Sequence, residues 1–252
     1  YDLVPYPYPE GPLNIQCILV REDSLLLGTD HGLFSFDPVN KTYGQLEAFG
    51  DKDTHSIIQD GHILFCGTAS GLYRFNPETH SSERISGDNV FSVVRADDFI
   101  YLGGEGGLAR YSPSDHRLEM LLDRARIHVV SCILPEKDGL WLGTPGALLK
   151  YNPSTQQIST RISMPVVKTL CKDDNGQLLA GTDSGIFLVN PETGSISEIN
   201  PSVAWDCFQD TGGDIWFATD NGMLTLHQHP VLLPVSDLPE INNARYVTAL
   251  RD

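Results

Sequence analysis

The sequence predicts an all-β protein, a β-propeller of four-stranded antiparallel blades. Two observations carry this prediction: one phrase, Gly-Thr-x-x-Gly-Leu followed by an apolar run, recurs six times, and the copies lie 36 to 40 residues apart. Four short strands per ~38 residues is the period of propeller blades. The 23 glycines and 16 prolines exclude a helical repeat of similar length. The copies begin at Gly28, Gly67, Gly103, Gly143, Gly181 and Ala218.

Each copy contains the same four elements. An apolar first strand, as in Val166–Cys171, leads to a turn such as Asp174-Asn-Gly, whose residues tolerate the positive φ of hairpin turns. A second strand runs into the Gly-Thr pair. The third strand ends at an Asn-Pro, because proline cannot donate to a ladder. A more polar fourth strand, such as Gln157–Ile162, completes the blade.

The repeat predicts six complete blades and the first strand of a seventh. We expect the blades at about 15–50, 51–87, 88–125, 126–163, 164–200 and 201–236, with a partial blade at 245–252. Residues 1–14 hold four prolines and suit an edge strand or linker. Val247–Asp252 matches the first strand of a blade, so we expect this sequence to be a piece of a longer chain.

The bulk composition excludes several partners. A net charge of −16 repels the phosphate backbone of nucleic acids and anionic membrane surfaces. No apolar run reaches about 20 residues, so we expect membrane association only through segments outside this sequence. The five cysteines form no C-x-x-C pair and are interpreted as small buried side chains. We expect no cofactor.

Three motifs are interpreted as structural. The recurrent Asp30, Asp183 and Asp220 follow the threonine of the blade turn, where an aspartate commonly accepts a backbone N–H. His227 and His229 have metal-like spacing but no third ligand nearby, so we expect no metal site. The glycine-rich stretch 103–107 leads into no helix and is interpreted as a blade turn.

The repeat, D-x-x-G-x-[LI]-W-x-G-T-x-x-G-[LI]-x-x-[YF]-[ND]-P, resembles the two-component regulator propeller repeat. Asp210–Met223 and Gly139–Thr144 carry the motif most clearly, and the likeness covers roughly residues 15–235. Ser112 before its proline, Pro145 in the turn, and the missing Asn-Pro of the sixth copy depart from it. The resemblance implies a periplasmic sensor domain of a hybrid histidine kinase, homodimeric in its parent protein, with kinase and DNA-binding modules elsewhere.

Propellers usually bind ligands on one face, at the mouth of the central channel. Two sets of loops form this face: those that lead into the first, innermost strand of each blade, and the turns between second and third strands. The position five residues before the acidic residue that follows each first strand differs in residue type from blade to blade, whereas the repeat around it stays similar. Such variation on a shared scaffold favours a specific binding site. The occupants of this position are His55, Ser92, Ser131, Lys168, Trp205 and Val247. Arg126, His128, Lys168, Arg245 and Tyr246 add cationic and polar donors in or beside these loops.

Trp205 is the leading candidate for a binding residue. Trp141 and Trp216 share a second-strand position with Leu26, Phe65, Tyr101 and Leu179, which predicts core packing for both. Trp205 stands outside that position, near the start of a first strand. Its ring suits stacking on a sugar, with the indole N–H donating to a hydroxyl; the alternative is a side chain that only fills the channel.

Three functions are compatible with these features. The first is a non-enzymatic sensor domain that binds an oligosaccharide or another polysaccharide breakdown product. The second is a propeller lyase or glycosidase, for which His55, His128 and the turn aspartates are the available groups, although they form no recognised catalytic signature. The third is a scaffold for protein partners, which requires a large exposed apolar patch. We assign no catalytic residue.

Overall fold

The computed structural model describes residues 14–21 and 23–227, and these form six antiparallel sheets. The strands of each sheet pair in chain order, as the recurring phrase predicts. This confirms the β-propeller fold class. The fourth strand of the sixth blade, the seventh-blade strand and the 1–13 part of the N-terminal segment lie outside the described residues. The chain divides into two compact units, residues 1–140 with 153–156, and 141–152 with 157–252.

The first unit holds three complete blades. Blade 1 consists of β1 (Ile15–Val20), β2 (Leu25–Thr29), β3 (Gly32–Asp37) and β4 (Thr42–Gln45), followed by a 3-10 turn at Glu47–Phe49. Blade 2 consists of β5 (Thr54–Asp60), β6 (Ile63–Thr68), β7 (Gly71–Asn76) and β8 (Ser81–Arg84). Blade 3 consists of β9 (Val90–Ala96), β10 (Phe99–Gly104), β11 (Gly107–Ser112) and β12 (Arg117–Asp123). A one-turn helix, α1 (Arg124–Ile127), follows β12.

Blade 4 consists of β13 (Cys132–Glu136), β14 (Gly139–Thr144), β15 (Ala147–Asn152) and β16 (Gln157–Ser163). The second unit holds the next two blades. Blade 5 consists of β17 (Val167–Lys172), β18 (Leu178–Thr182), β19 (Gly185–Val189) and β20 (Ile196–Asn200). The described part of blade 6 consists of β21 (Ala204–Gln209), β22 (Ile215–Thr219) and β23 (Gly222–Leu226).

Burial follows strand position within the blade. The second strands are almost wholly buried, as in β6 and β14, while the fourth strand β8 is exposed along its length. This agrees with the predicted polar fourth strand. Within the first unit the first strands β1, β5, β9 and β13 contact one another in succession, and β17 contacts β21 in the second unit. First strands of neighbouring blades are therefore in contact, and a second strand also contacts the first strand of the next blade, as β2 does β5 and β6 does β9.

The core lies between neighbouring blades. Phe49, Leu64 and Phe75 are buried with Leu26 and Leu33 where blades 1 and 2 meet. Similar clusters join blades 2 and 3, and blades 5 and 6. Burying one such side chain contributes about 1.5–3 kcal/mol, so each blade depends on its neighbour for much of its stability.

The tryptophans of the second strands differ in burial. Trp141 is buried, with the ammonium of Lys150 5.2 Å from its ring centroid. Trp216 is only half-buried; it stacks on Phe208 and donates its indole N–H to Asp210 Oδ2 over 2.8 Å. The core position predicted for Trp216 is therefore only partly realised, because one side of its ring packs on the half-exposed Phe208.

Candidate functional site

A β-bulge lies near the start of the first strand in the five blades whose register is described. In each blade the pairing skips one residue. The side chain of this residue therefore departs from the regular alternation of side chains along the strand. We call these the bulge residues. They are Gln16, His55, Phe91, Lys168 and Trp205.

Each bulge is tied to the turn between the second and third strands of its own blade. The residue directly after the second strand donates its backbone N–H to the carbonyl two residues before the bulge. The five bonds, of 2.9 to 3.2 Å, run from Asp30 to Asn14, Ala69 to Asp53, Glu105 to Asn89, Asp183 to Val166, and Asp220 to Val203. Both loops are therefore held together at one end of these five blades, which pre-organises the bulge residues.

One predicted position is wrong by a residue. The occupant in blade 3 is Phe91, whereas the sequence count gave Ser92. Asp97, from which the count was made, lies in the turn at φ 51°, one residue beyond the strand-end position that Asp60 takes in blade 2. Ser92 instead accepts a hydrogen bond from the backbone N–H of Ile133 over 3.2 Å and links blades 3 and 4.

In the first unit three bulge residues contact one another in series. The Gln16 side chain donates to Asp53 and lies within hydrogen-bonding distance of His55 Nδ1. The His55 ring is 5.6 Å from that of Phe91. Pairing of Nδ1 with the Gln16 carbonyl oxygen places the proton there, which leaves Nε2 as the basic nitrogen. That Nε2 is buried without a hydrogen-bond partner among the described residues, so it is poorly placed to accept a proton from a substrate.

Arg126 and His128 lie at α1, in the loop that leads into β13. Asp123 caps this helix by accepting the backbone N–H of Arg126 over 3.1 Å, and His128 ends it at φ 58°. Both side chains are exposed. This is the loop position predicted for them; their part in binding stays a prediction.

In the second unit the two bulge residues form one contact. The Lys168 ammonium lies 3.8 Å from the ring centroid of Trp205. Trp205 is 56% exposed and donates its indole N–H to Asp220. In this structure Asp220 of the neighbouring turn accepts this N–H, and its donation to a ligand hydroxyl stays a prediction. The cation and the carboxylate hold the ring in place while much of it stays open to solvent.

Asp206 follows Trp205 and differs from the residues at its position in other blades, among them Ser56 and Ser92. Protein atoms that crowd its carboxylate raise its pKa through desolvation, although the residue as a whole is exposed and this effect is correspondingly weakened by solvent. Hydrogen bonds from the backbone N–H of Cys207 and the Thr169 hydroxyl act in the opposite direction on this pKa. The second unit therefore presents an aromatic ring, an ammonium and two carboxylates at one end of adjacent blades.

Solved structures with the same fold include extracellular domains from B. thetaiotaomicron. Two structures of the BT4673 domain, described as a putative one-component and a putative hybrid two-component system, are 27% and 28% identical to this chain. They superpose with TM-scores of 0.76 and 0.75 over 87% and 84% of it. The extracellular domain of the putative hybrid two-component system BT3049 superposes at 0.69 with 18% identity over 85% of the chain, a likeness of fold alone.

The repeat resembles that of the two-component regulator propeller family, and the fold is shared with these extracellular domains of putative one-component and hybrid two-component systems. The chain spans about a third of the length of each of the three structures, 33%, 32% and 33%. No protein-family model matches the sequence, and no curated protein matches it.

The aspartates that recur in the blade turns take different partners. Asp30 accepts the backbone N–H of Asn14 over 3.0 Å, the kind of bond that was predicted. Asp183 accepts the Ser184 hydroxyl over 3.1 Å, and Asp220 accepts Trp205. The prediction of a backbone partner therefore holds for the first aspartate only, and Asp220 is the one that reaches a bulge residue.

Metal and thiol chemistry find little support in the described part of the chain. No group of three metal-binding side chains occurs there, and His227 Nδ1 pairs with Asp214 Oδ2 at 2.8 Å; His229 lies outside that part. No disulfide joins the five cysteines, all of which lie in the described residues, and burial raises the pKa of Cys66, as expected of a packing residue. No helix in residues 14–21 and 23–227 is long and apolar enough to cross a membrane. Arg245, Tyr246 and Val247 lie outside the described residues.

Proposed function

We propose that this chain is the ligand-sensing, extracytoplasmic part of a hybrid two-component sensor and binds an oligosaccharide or another polysaccharide breakdown product. Two neighbours that are 27% and 28% identical are extracellular domains of a putative one-component or hybrid two-component system, which supports the sensor role and the location. The periplasm is the proposed compartment. A homodimer of the parent protein is the proposed signalling state, and its output modules are proposed to lie in other parts of that protein.

The observation that supports this proposal best is the exposed, immobilised ring of Trp205. A sugar presents C–H groups on its flat face and hydroxyls around its edge. The ring offers an apolar surface for that face, while Lys168 and Asp206 offer a donor and an acceptor beside it. Because Asp220 and Lys168 hold the ring before the ligand arrives, little conformational entropy is lost on binding.

The test uses intrinsic fluorescence and isothermal titration with neutral and uronic-acid-containing oligosaccharides of two to six sugars. We expect saturable binding without turnover. Trp205→Ala weakens the affinity by about tenfold or more, equivalent to about 1.4 kcal/mol, since the stacking surface is removed. Trp205→Phe keeps part of the surface and loses less.

Trp216→Phe is the matched control, because Trp216 is a half-buried tryptophan of the same blade that contacts Asp210 and Phe208. It keeps the ligand affinity of the wild-type chain. Product formation, followed by mass spectrometry, would replace the sensor proposal with a lyase or glycosidase. If none of the oligosaccharides binds, the result would favour a scaffold for protein partners.

A further inference from the structure

Blade 3 departs from the other blades in the turn between its second and third strands. In the other five blades a threonine hydroxyl bridges this turn by donating to the carbonyl three residues ahead, over 2.7 to 3.0 Å. The threonines are Thr29, Thr68, Thr144, Thr182 and Thr219. Blade 3 has Gly104 at this position and a second additional glycine, Gly106, in the same turn.

The two glycines let the loop before β9 lie directly against the turn. A Cβ on Gly104 would meet the Asn89 carbonyl oxygen at 1.9 Å, and one on Gly106 would meet Asp88 Oδ2 at 2.7 Å. A side chain at position 104 would force the backbone to move, whereas one at position 106 would displace the carboxylate of Asp88. The glycine-rich stretch 103–107 is thus a blade turn, as predicted, but one with an altered surface.

A groove of about 250 Å³ opens beside this turn, between blades 2 and 3. Its apolar lining includes Val90, Leu102, Ala109, Leu118 and Met120. Leu118 is 38% exposed and Met120 50% exposed, so the groove is accessible along the outer strand β12. An exposed apolar surface on a scaffold that otherwise repeats marks a candidate interaction site.

The groove wall on the blade 2 side is held by hydrogen bonds. Arg84 donates from Nε to the Ser86 carbonyl over 3.0 Å and from Nη2 to the Gly87 carbonyl over 2.9 Å. The Ser86 hydroxyl accepts the backbone N–H of Leu72 over 2.9 Å. The groove is therefore formed before any partner binds, which lowers the entropic cost of binding.

The edge of the groove is acidic. Asp88 and Glu105 are both exposed, and Asn89 Nδ2 lies 3.4 Å from Glu105 Oε1. Asn89 Oδ1 is buried without a hydrogen-bond partner among the described residues. The two exposed carboxylates place negative charge at the groove edge, which favours an occupant that brings basic groups.

We propose that this groove binds an apolar side chain of a partner polypeptide in which basic residues flank that side chain. Small-molecule sites usually enclose about 300–1,000 Å³, so a groove of this size fits one large side chain better than a whole ligand. The apolar lining suits a phenylalanine or leucine. The two carboxylates at the edge suit lysine or arginine on either side and repel acidic segments.

The chain offers a site-specific reporter of this interaction. Its three methionines are Met120 in the groove, the buried Met164, and Met223, which is 61% exposed on blade 6. With ¹³C-methyl-labelled methionine, the Met120 signal reports binding in the groove. The Met164 signal reports the state of the fold, and the Met223 signal reports non-specific binding to exposed side chains. The probe is the capped peptide acetyl-Lys-Phe-Lys-amide.

We expect the probe to shift the Met120 signal saturably while Met164 and Met223 stay unchanged. Titration of the Met120 signal gives the affinity: acetyl-Lys-Ala-Lys-amide, which cannot fill the groove, and acetyl-Glu-Phe-Glu-amide, which carries the wrong charge, bind at least about fivefold more weakly, equivalent to about 1 kcal/mol. Asp88→Asn combined with Glu105→Gln weakens the Lys-Phe-Lys affinity about three- to tenfold, and added salt does the same.

Asp183→Asn is the matched control, because Asp183 is the exposed acid at the turn position of blade 5 that Glu105 takes in blade 3. It leaves the Met120 response unchanged. An unshifted Met120 signal, equal shifts of Met120 and Met223, or equal responses to the Lys and Glu peptides would each overturn the proposal. None of these outcomes bears on oligosaccharide binding at Trp205, so the two proposals fail separately.

Discussion

Single hydroxyl and carboxamide groups hold the turns of this protein. Thr68 is fully buried; its hydroxyl donates to the Gly71 carbonyl over 2.8 Å and accepts the Ser70 N–H over 3.1 Å. At the other end of the third strand, Asn76 Oδ1 accepts the N–H groups of Glu78 and Thr79. Each side chain thus satisfies backbone groups that the ladder leaves unpaired.

Replacing the turn hydroxyl tests this role. Thr68→Val keeps the shape of the side chain but leaves the Ser70 N–H and the Gly71 carbonyl without their partner, so we expect a loss of about 1–3 kcal/mol in the free energy of unfolding. Thermal and urea unfolding measure it. Thr68→Ser, which keeps the hydroxyl, stays closer to wild type. If the valine and serine variants were equally stable, the hydroxyl would have no such role.

At the scale of the element, a blade packs on the next through a glycine near the end of its second strand. A Cβ on Gly67 would meet Val90 Cγ1 and Val93 Cγ2 at 2.9 Å and the Val90 carbonyl oxygen at 3.0 Å. Gly28 makes a similarly close approach to Thr54 of β5, and Gly103 to Val130, two residues before β13. The recurrent glycine therefore sets how closely neighbouring blades approach, in addition to its place in the turn motif.

Adding one methyl group at this position tests the close approach. Gly67→Ala forces the first strand of blade 3 outward, and we expect it to destabilise the protein by about 1–3 kcal/mol although alanine normally costs less backbone entropy. Gly44→Ala on the exposed strand β4 is the control, since its Cβ would meet only the Ser35 side chain, at 3.2 Å. That variant stays within about 0.5 kcal/mol of wild type. Equal unfolding midpoints for the two variants would contradict the packing argument.

At the scale of the whole molecule, the dominant property is the net charge of −16 with a sequence pI near 4.7. Charges of one sign repel one another most strongly when they are held together in the folded chain. Salt screens this repulsion over a Debye length of about 10 Å at 0.1 M. The field also keeps polyanions away, which is consistent with a partner that is neutral or basic.

Salt should therefore stabilise the protein at neutral pH. We expect Tm at pH 7 to rise by a few degrees between 10 and 300 mM NaCl, because repulsion in the folded state is screened. Differential scanning calorimetry measures it. At pH 5, close to the pI, the same change in salt has a smaller effect since the net charge is nearly zero. A salt effect that is absent at pH 7, or larger at pH 5, would show that self-repulsion is unimportant.

The fold was more predictable than the site. Strand ends such as Asn76 and Asn152 followed from the prolines after them, and the polar fourth strands followed from composition. Lys168 and Trp205 were recognised as special because the repeat varied at their position. Phe91 was missed, since an equivalence counted from Asp97 depends on a turn geometry that the sequence did not show. The bulge residues lie 12 or 13 positions before the residue that begins each copy of the recurring phrase, and counting back from that residue gives Phe91 at a distance of 12.

The sequence by itself determined the class of fold and the number and order of the strands described here. Those features depend on local patterns, namely alternation, turn residues and the period, that recur in every blade. Only the tertiary structure decided that Asp220 accepts the Trp205 N–H, that His55 Nε2 is buried, and that the turn at Gly104 borders a groove. These features depend on contacts between residues from different strands or blades, and a one-residue shift in register changes them completely.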